Sequence, residues 1–195
     1  MTKSIYFVRH CEYVDPDKLI PGRLPIPLSE HGKQHAQKLA DFFQDKDISH
    51  IYSSAVLRCQ QTSEVISRGQ IPISYDQRLL EVFTAYQGHT FKDGIDFSLY
   101  YGHRKELGGE GYRDLQERMT AFFEDIKAKD EKQVMVISHG DPLYTLFCFL
   151  NKKPMGSEDQ LIETKQTDEY PEKGSVRELV LEGDTFTLKP FLTFK

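Results

Sequence analysis

The chain has 195 residues, 38% of them hydrophobic and 28% charged, with a formal net charge of −5; this suffices for one sizeable core and argues against a disordered or fibrous polymer. The acidic balance argues against a nucleic-acid partner, yet leaves room for a small anionic substrate held by a local cluster of arginines. No apolar run approaches the roughly 20 residues that cross a bilayer, so no membrane association is expected.

The N-terminus, Met1-Thr2-Lys3-Ser4, leads straight into a strand-like run rather than the apolar segment of a secretory signal. Cys11, Cys59 and Cys148 lack metal spacing and are odd in number, which reads as free thiols in a reducing compartment and a cytoplasmic location. Ile5-Tyr6-Phe7-Val8 is continuously apolar, as a strand covered on both faces requires. A loop rich in proline and glycine follows (Pro16, Pro21, Gly22, Pro25, Pro27), and Ser29 is placed to N-cap a helix whose stripe is Ala36, Leu39, Ala40 and Phe43. Ile48 to Tyr52 reads as a second strand, followed by a helix to about Ser67 and a short strand from Ile71 to Tyr75.

Residues 84–111 hold six glycines and no clear strand, which suggests an insertion or lid within a single domain. A helix from about Tyr112 to Ala128 carries its stripe on Leu115, Met119, Phe122, Phe123 and Ile126. Val134 to Ile137 is the clearest strand, and Pro142 suits the first turn of the helix after it. Residues 152–174 read as a polar loop, and Glu182-Gly183-Asp184 as a turn between two final strands. Strands alternating with helices imply a three-layer α/β/α sandwich, a mainly parallel central sheet with helices on both faces.

In such sheets ligands bind beyond the carboxyl ends of the strands. The first strand ends in Arg9-His10, the second in Ser53-Ser54 with Arg58 one turn into the next helix, and the clearest strand in Ser138-His139. Two arginines and two histidines are therefore expected on one edge. Guanidinium forks match phosphate oxygens, and a neutral imidazole is a competent nucleophile. Phosphoryl transfer needs positioning and charge stabilisation above all, which these groups supply without a metal. Glu81, after the apolar pair Leu79-Leu80, is the best proton donor for a leaving oxygen, since a partly apolar pocket raises a carboxyl pKa.

These segments resemble the histidine phosphatase superfamily, the phosphoglycerate mutase-like proteins. Arg9-His10 is similar to the family's Arg-His-Gly start, "GRLPIPLSEHGKQHAQKLA" to its loop and first helix, and "SSAVLRCQQT" to the segment carrying its second phosphate-binding arginine. "RLLE", "QGHTF", "GGEGYRDLQER" and "VISHGDPL" follow in the family's order. The resemblance covers about residues 4–150. It implies attack by His10 on phosphorus, with Arg9, Arg58 and His139 binding the phosphoryl group and Glu81 protonating the departing oxygen, then hydrolysis of the phosphohistidine. No metal or other cofactor is implied, and the implied partner is a small phosphorylated substrate. The activity expected is that of a histidine acid phosphatase-type hydrolase.

Three residues depart from the family pattern. Cys11 replaces the glycine after the nucleophile, Tyr13 stands where threonine or serine is common, and Gly111 where serine is frequent. They bear on rate and substrate range more than on reaction type. The chain lacks the basic, tryptophan-containing insertion of the mutases, which favours a phosphatase over a phosphoglycerate mutase. A non-catalytic phospholigand-binding module and a metal-dependent hydrolase are the other classes to separate. His31 and His35, spaced i, i+4, lack the glutamate of a zinc-protease motif and are expected on a solvated helix face. His103, Arg104 and Lys105 are expected to be a solvated charge run, and Cys148 a core residue. Cys11 and Cys59 each adjoin a predicted pocket residue, which raises the idea of a redox-sensitive pair.

Overall fold

The structure, a computed structural model, describes residues 2–15, 18–90, 108–153 and 169–194. Most of the expected insertion, and with it His103, Arg104 and Lys105, lies outside the described residues, as does most of the polar stretch before Glu169. Among the described residues six strands form one sheet in the order β3-β2-β4-β1-β5-β6. They are β1 (Thr2–Arg9), β2 (His50–Ser53), β3 (Ile73–Tyr75), β4 (Gln133–Ser138), β5 (Val176–Glu182) and β6 (Thr185–Leu192). β3, β2, β4 and β1 run parallel, whereas β5 is antiparallel to both β1 and β6. The sheet is thus mostly parallel with an antiparallel edge, the latter made by the turn at Gly183, whose φ is +61°.

Two core clusters lie against the sheet, and the alternation of β1 distributes its side chains between them. Ile5 and Phe7 join one, with Phe122, Phe123 and Ile126 of α3 (Tyr112–Lys127) and Leu143, Leu146 and Phe147 of α4 (Gly140–Leu150). Tyr6 and Val8 join the other, with Ala36, Leu39 and Phe43 of α1 (Glu30–Phe43) and Cys59 and Ile66 of α2 (Leu57–Ser67). Helices therefore cover both faces, which is why the central strands carry continuous apolar runs.

The helix ends follow their sequence signals. The Ser29 hydroxyl accepts from the Gly32 amide at 3.0 Å, capping α1. Gly111 has no side chain with which to cap α3, and the Asp114 carboxylate instead accepts its amide hydrogen at 2.8 Å. That reciprocal contact explains how the helix starts without the family's serine. β2 and β3 are shorter than the sequence suggests. Ile48 is a buried member of the second cluster and Ile71 packs against it, both outside the strand pairing.

The centre of the sheet sets the positions of the strand ends. β1 and β4 pair in parallel with Arg9 opposite Ser138, and the His10 amide donates to the Ser138 carbonyl at 3.0 Å. The two residues that follow, His10 and His139, emerge side by side. Phe7, 1% exposed and edge-on to Phe147 at 5.7 Å, anchors this pair of strands to α4. Phe7→Ala is expected to lower stability by about 3–5 kcal/mol, read as a shift of the urea midpoint with unchanged slope.

Candidate active site

At the carboxyl edge of the parallel strands, Arg9 and His10 end β1, Ser54 follows β2 and His139 follows β4. Arg58 reaches in from the first turn of α2. Glu81 arrives by a different route. After β3 a 3-10 turn, Gln77–Leu79, brings the chain back over β4, where the Ser138 hydroxyl donates to the Leu79 carbonyl at 2.8 Å. The Glu81 carbonyl is then held by Arg23 Nε at 2.8 Å and Arg118 Nη2 at 3.4 Å. Glu110 ties these arginines together, through Arg23 Nη2 at 2.8 Å and Arg118 Nε at 3.0 Å. All five residues singled out from sequence meet in one place.

Arg58 is the hub. It is fully buried, and its guanidinium donates from Nε to His10 Nε2 at 3.1 Å and from Nη2 to the Gly22 carbonyl at 2.8 Å and to His139 Nδ1 at 2.9 Å. Arginine can only donate. His10 Nε2 must therefore hold a lone pair, and the ring proton sits on Nδ1, which donates to the Cys11 carbonyl at 2.8 Å. By the same reasoning His139 carries its proton on Nε2, facing the Ser54 hydroxyl at 2.8 Å. Burial first, then the charges of Arg58 and Arg9, hold the His10 pKa well below its ordinary 6.5. His139 is lowered likewise, by burial and by Arg58. Both rings stay neutral near neutral pH, and their centres are 5.1 Å apart.

Two buried arginine donors, Arg9 Nε and Arg58 Nη1, have no partner among the described residues. An unsatisfied buried donor costs about 1–3 kcal/mol, more when charged, so each guanidinium keeps a donor that an anion would satisfy. Glu81 Oε2 lies 3.7 Å from both Arg58 Nη2 and His139 Nδ1, while Oε1 accepts from the Val82 amide at 2.9 Å. Its pKa is raised, by burial first and then by the nearby charge of Asp141, with Arg58, the Val82 amide and Arg9 opposing. An imidazole nitrogen with a free lone pair, two arginine donors and a carboxyl whose pKa is raised can together move a phosphoryl group.

The departure at Cys11 has a structural account. The side chain is fully buried in the second core cluster with Leu28, Ala36 and Cys59. Its backbone is outside the positive-φ region, and its carbonyl does the work of holding the nucleophile's tautomer, so glycine is not needed. Burial pushes the thiols of Cys11 and Cys59 up to about 12, a protonated state unsuited to the reactivity a redox pair requires. Cys148 is a core residue as expected. His35 is less solvated than expected. It lies half-buried, against Gly174 and Phe194.

Sequence reasoning missed the segment from Glu169 to Ser175. Arg9 Nη1 donates to the Pro171 carbonyl at 2.9 Å and the guanidinium stacks on Tyr170 at 5.4 Å. The Tyr170 hydroxyl in turn donates to Asp141 at 3.0 Å, and the Gly174 amide donates to the carbonyls of both Arg9 and His10 at 3.1 Å. Its signals, a polar composition and a Tyr-Pro pair, distinguish it from no other loop. Gly140 makes room for this arrangement. A Cβ there would lie 2.3 Å from the Tyr170 hydroxyl and 3.1 Å from Arg9 Cζ.

A mixed α/β sheet with two histidines and two arginines at its carboxyl edge defines the class of phosphoglycerate mutase-like phosphoryl-transfer proteins. The chain belongs to the histidine phosphatase superfamily (branch 1), whose match spans residues 5–189. It is 27% identical over 164 residues to a protein named putative phosphoserine phosphatase 2 from Hydrogenobacter thermophilus, covering 76% of this chain and 78% of that one. It is also 27% identical over 173 residues to a protein named probable phosphoglycerate mutase GpmB from Salmonella choleraesuis, covering 81% and 79%. Among solved structures it superposes on Bacillus stearothermophilus YhfR with a TM-score of 0.81, 27% identity and 95% of each chain covered.

Gly140→Ala is expected to leave the fold intact, since alanine favours helix, but to push Tyr170 and, with it, the Arg9 guanidinium stacked on it. Such a displacement should lower kcat/KM for phosphoryl transfer by about 10²-fold, with a thermal unfolding midpoint within a few degrees of wild type.

Proposed function

We propose that the protein is a metal-independent phosphomonoesterase acting through a phosphohistidine on a small phosphorylated metabolite. The observation that carries this reading is the unprotonated Nε2 of His10 at a site where two buried arginine donors have no partner among the described residues. Arg9 and Arg58 bind the phosphoryl oxygens, and His139, bonded to Arg58, completes the cradle. His10 Nε2 attacks phosphorus as the bond to the ester oxygen breaks, and Glu81 delivers its proton to that oxygen. The positive charge that develops on the imidazole is met at Nδ1–H by the Cys11 carbonyl. Water then attacks phosphorus, Glu81 takes its proton, and the phosphorus–nitrogen bond breaks to return the lone pair to His10.

The chain contains no tryptophan, which supports hydrolysis over the mutase reading that one relative's name suggests. In a mutase the phosphohistidine returns its group to a second hydroxyl, so isomerisation of a phosphoglycerate without phosphate release would favour that reading. The free thiols fit action in the cytoplasm.

The first test is phosphate release from p-nitrophenyl phosphate in the presence of a chelator. Turnover should persist in wild type, vanish in His10→Ala, and pass through a phosphoenzyme stable to base and labile to acid. Loss of turnover on chelation would point to a metal-dependent hydrolase instead, and inactivity across a broad ester panel to a binding module.

Glu81→Gln should slow an alkyl phosphate by about 10²-fold or more, yet slow p-nitrophenyl phosphate far less, because that leaving group departs without a proton. The pH profile follows from the signs. His10 must be neutral and its pKa is depressed, so the acid limb lies below 6.5. Glu81 must be protonated and its pKa is raised above 4.5, so kcat/KM falls as pH climbs through it. This second limb should disappear in Glu81→Gln.

A further inference from the structure

Tyr13 stands at the rim of the pocket, its ring centre 5.6 Å from that of His10 and 5.4 Å from Arg58 Cζ. A second cation uses the same ring. Lys173 Nζ lies 4.1 Å from the Tyr13 ring centre, which places the ammonium within about 10 Å of the His10 ring. The lysine is fixed there by its neighbour Gly174, whose amide grips the carbonyls of Arg9 and His10. Its side chain is half-buried, and among the described residues no carboxylate pairs with it. The closest candidates are engaged elsewhere. Glu12 accepts from the Ser29 hydroxyl at 2.8 Å and faces His31 at 3.6 Å, and Asp15 accepts from the Leu19 amide at 2.9 Å.

Three cations therefore converge on one mouth while the histidines are neutral. Bringing a third cation beside two others is unfavourable unless a negative charge joins them, and the pKa of Lys173 is correspondingly lowered, by burial first and then by Arg9, with Glu12 and Asp15 opposing. A bound phosphoryl group meets the two arginines at the floor of the site. The ammonium on the rim has a different reach, and as a compact charge on a flexible stem it selects for charge rather than for planar shape.

We infer that Lys173, braced on Tyr13, is a specificity-determining residue that binds a second anionic group, carboxylate or phosphate, carried by the substrate close to the ester. This rests on the phosphomonoesterase reading above and extends it to the class of substrate. It also gives the tyrosine at position 13 a role, as the aromatic platform of the cation.

The test compares esters that differ only in the second charge: 3-phosphoglycerate against glycerol 3-phosphate for a carboxylate, and propane-1,3-diol bisphosphate against propyl phosphate for a phosphate. Wild type should prefer the charged member of at least one pair. Lys173→Met keeps the stem on the Tyr13 ring and removes the charge. It should reduce that preference, the ratio of the two kcat/KM values, by about tenfold or more, the effect of losing one charge-assisted contact. Lys173→Arg should retain most of it. Whichever pair collapses identifies the anion. Equal falls for both members, or no preference in wild type, would overturn the assignment.

Should wild type hydrolyse no ester, the catalytic reading fails on its own. The same pairs are then compared by calorimetric binding to His10→Ala with and without Lys173→Met. A binding preference that disappears with the lysine upholds the subsite, and one that survives removes it.

Discussion

A guanidinium with no exposure to solvent governs this molecule. Burying Arg58 is costly unless its donors are met, and the fold meets Nε and Nη2 with the Gly22 carbonyl and the two imidazoles. Because arginine cannot accept, each of these contacts dictates where a histidine proton sits. The reactive form of His10 is thereby set by a neighbour rather than by pH. The same guanidinium leaves Nη1 without a partner among the described residues, so the group that fixes the His10 tautomer also keeps a donor for an anion. Glu81, 3.7 Å away, completes a set in which one positive charge lies beside both histidines and a buried carboxyl.

Around this hub the chain is organised as two scaffolds of different character. The parallel strands supply His10, Ser54 and His139 through backbone register, which side-chain motion does not disturb. The loops supply the rest through specific side-chain ties. Glu110 binds Arg23 and Arg118, and these hold the Glu81 backbone. The segment from Glu169 to Ser175 grips Arg9 from the other side. The position of Glu81 and that of the Arg9 guanidinium are therefore set by loop chemistry on a rigid base.

Much of the design was legible in the residues. Continuous apolar runs at Ile5–Val8 and Val134–Ile137 identify central strands because both faces of the sheet are covered, and the histidines at their ends follow. Ser29 is a helix start because its hydroxyl has an amide to cap. Glu81 was readable only through its neighbours, since a carboxylate after Leu79-Leu80 acquires its setting from a carbonyl bond to Ser138, a contact between distant segments. Lys173, Tyr170 and Gly174 were not legible. Their partners Arg9, His10 and Tyr13 lie more than a hundred residues earlier in the chain, and no periodicity marks a loop that folds back over the first strand. The meaning of Cys11 was hidden for a related reason. A one-residue change reads as a change to the pocket until the direction of its side chain is known.

That direction has a practical consequence. Cys11, Cys59 and Cys148 are all buried thiols without disulfide partners, and burial raises the pKa of each. A thiol reagent meets a reactive thiolate only when the surrounding structure opens. Cys11 and Cys59 belong to the cluster on one face of the sheet, while Cys148 lies on α4 on the other. The three cysteines thus form a built-in set of reporters, in which the order of labelling reads which layer of the sandwich separates first.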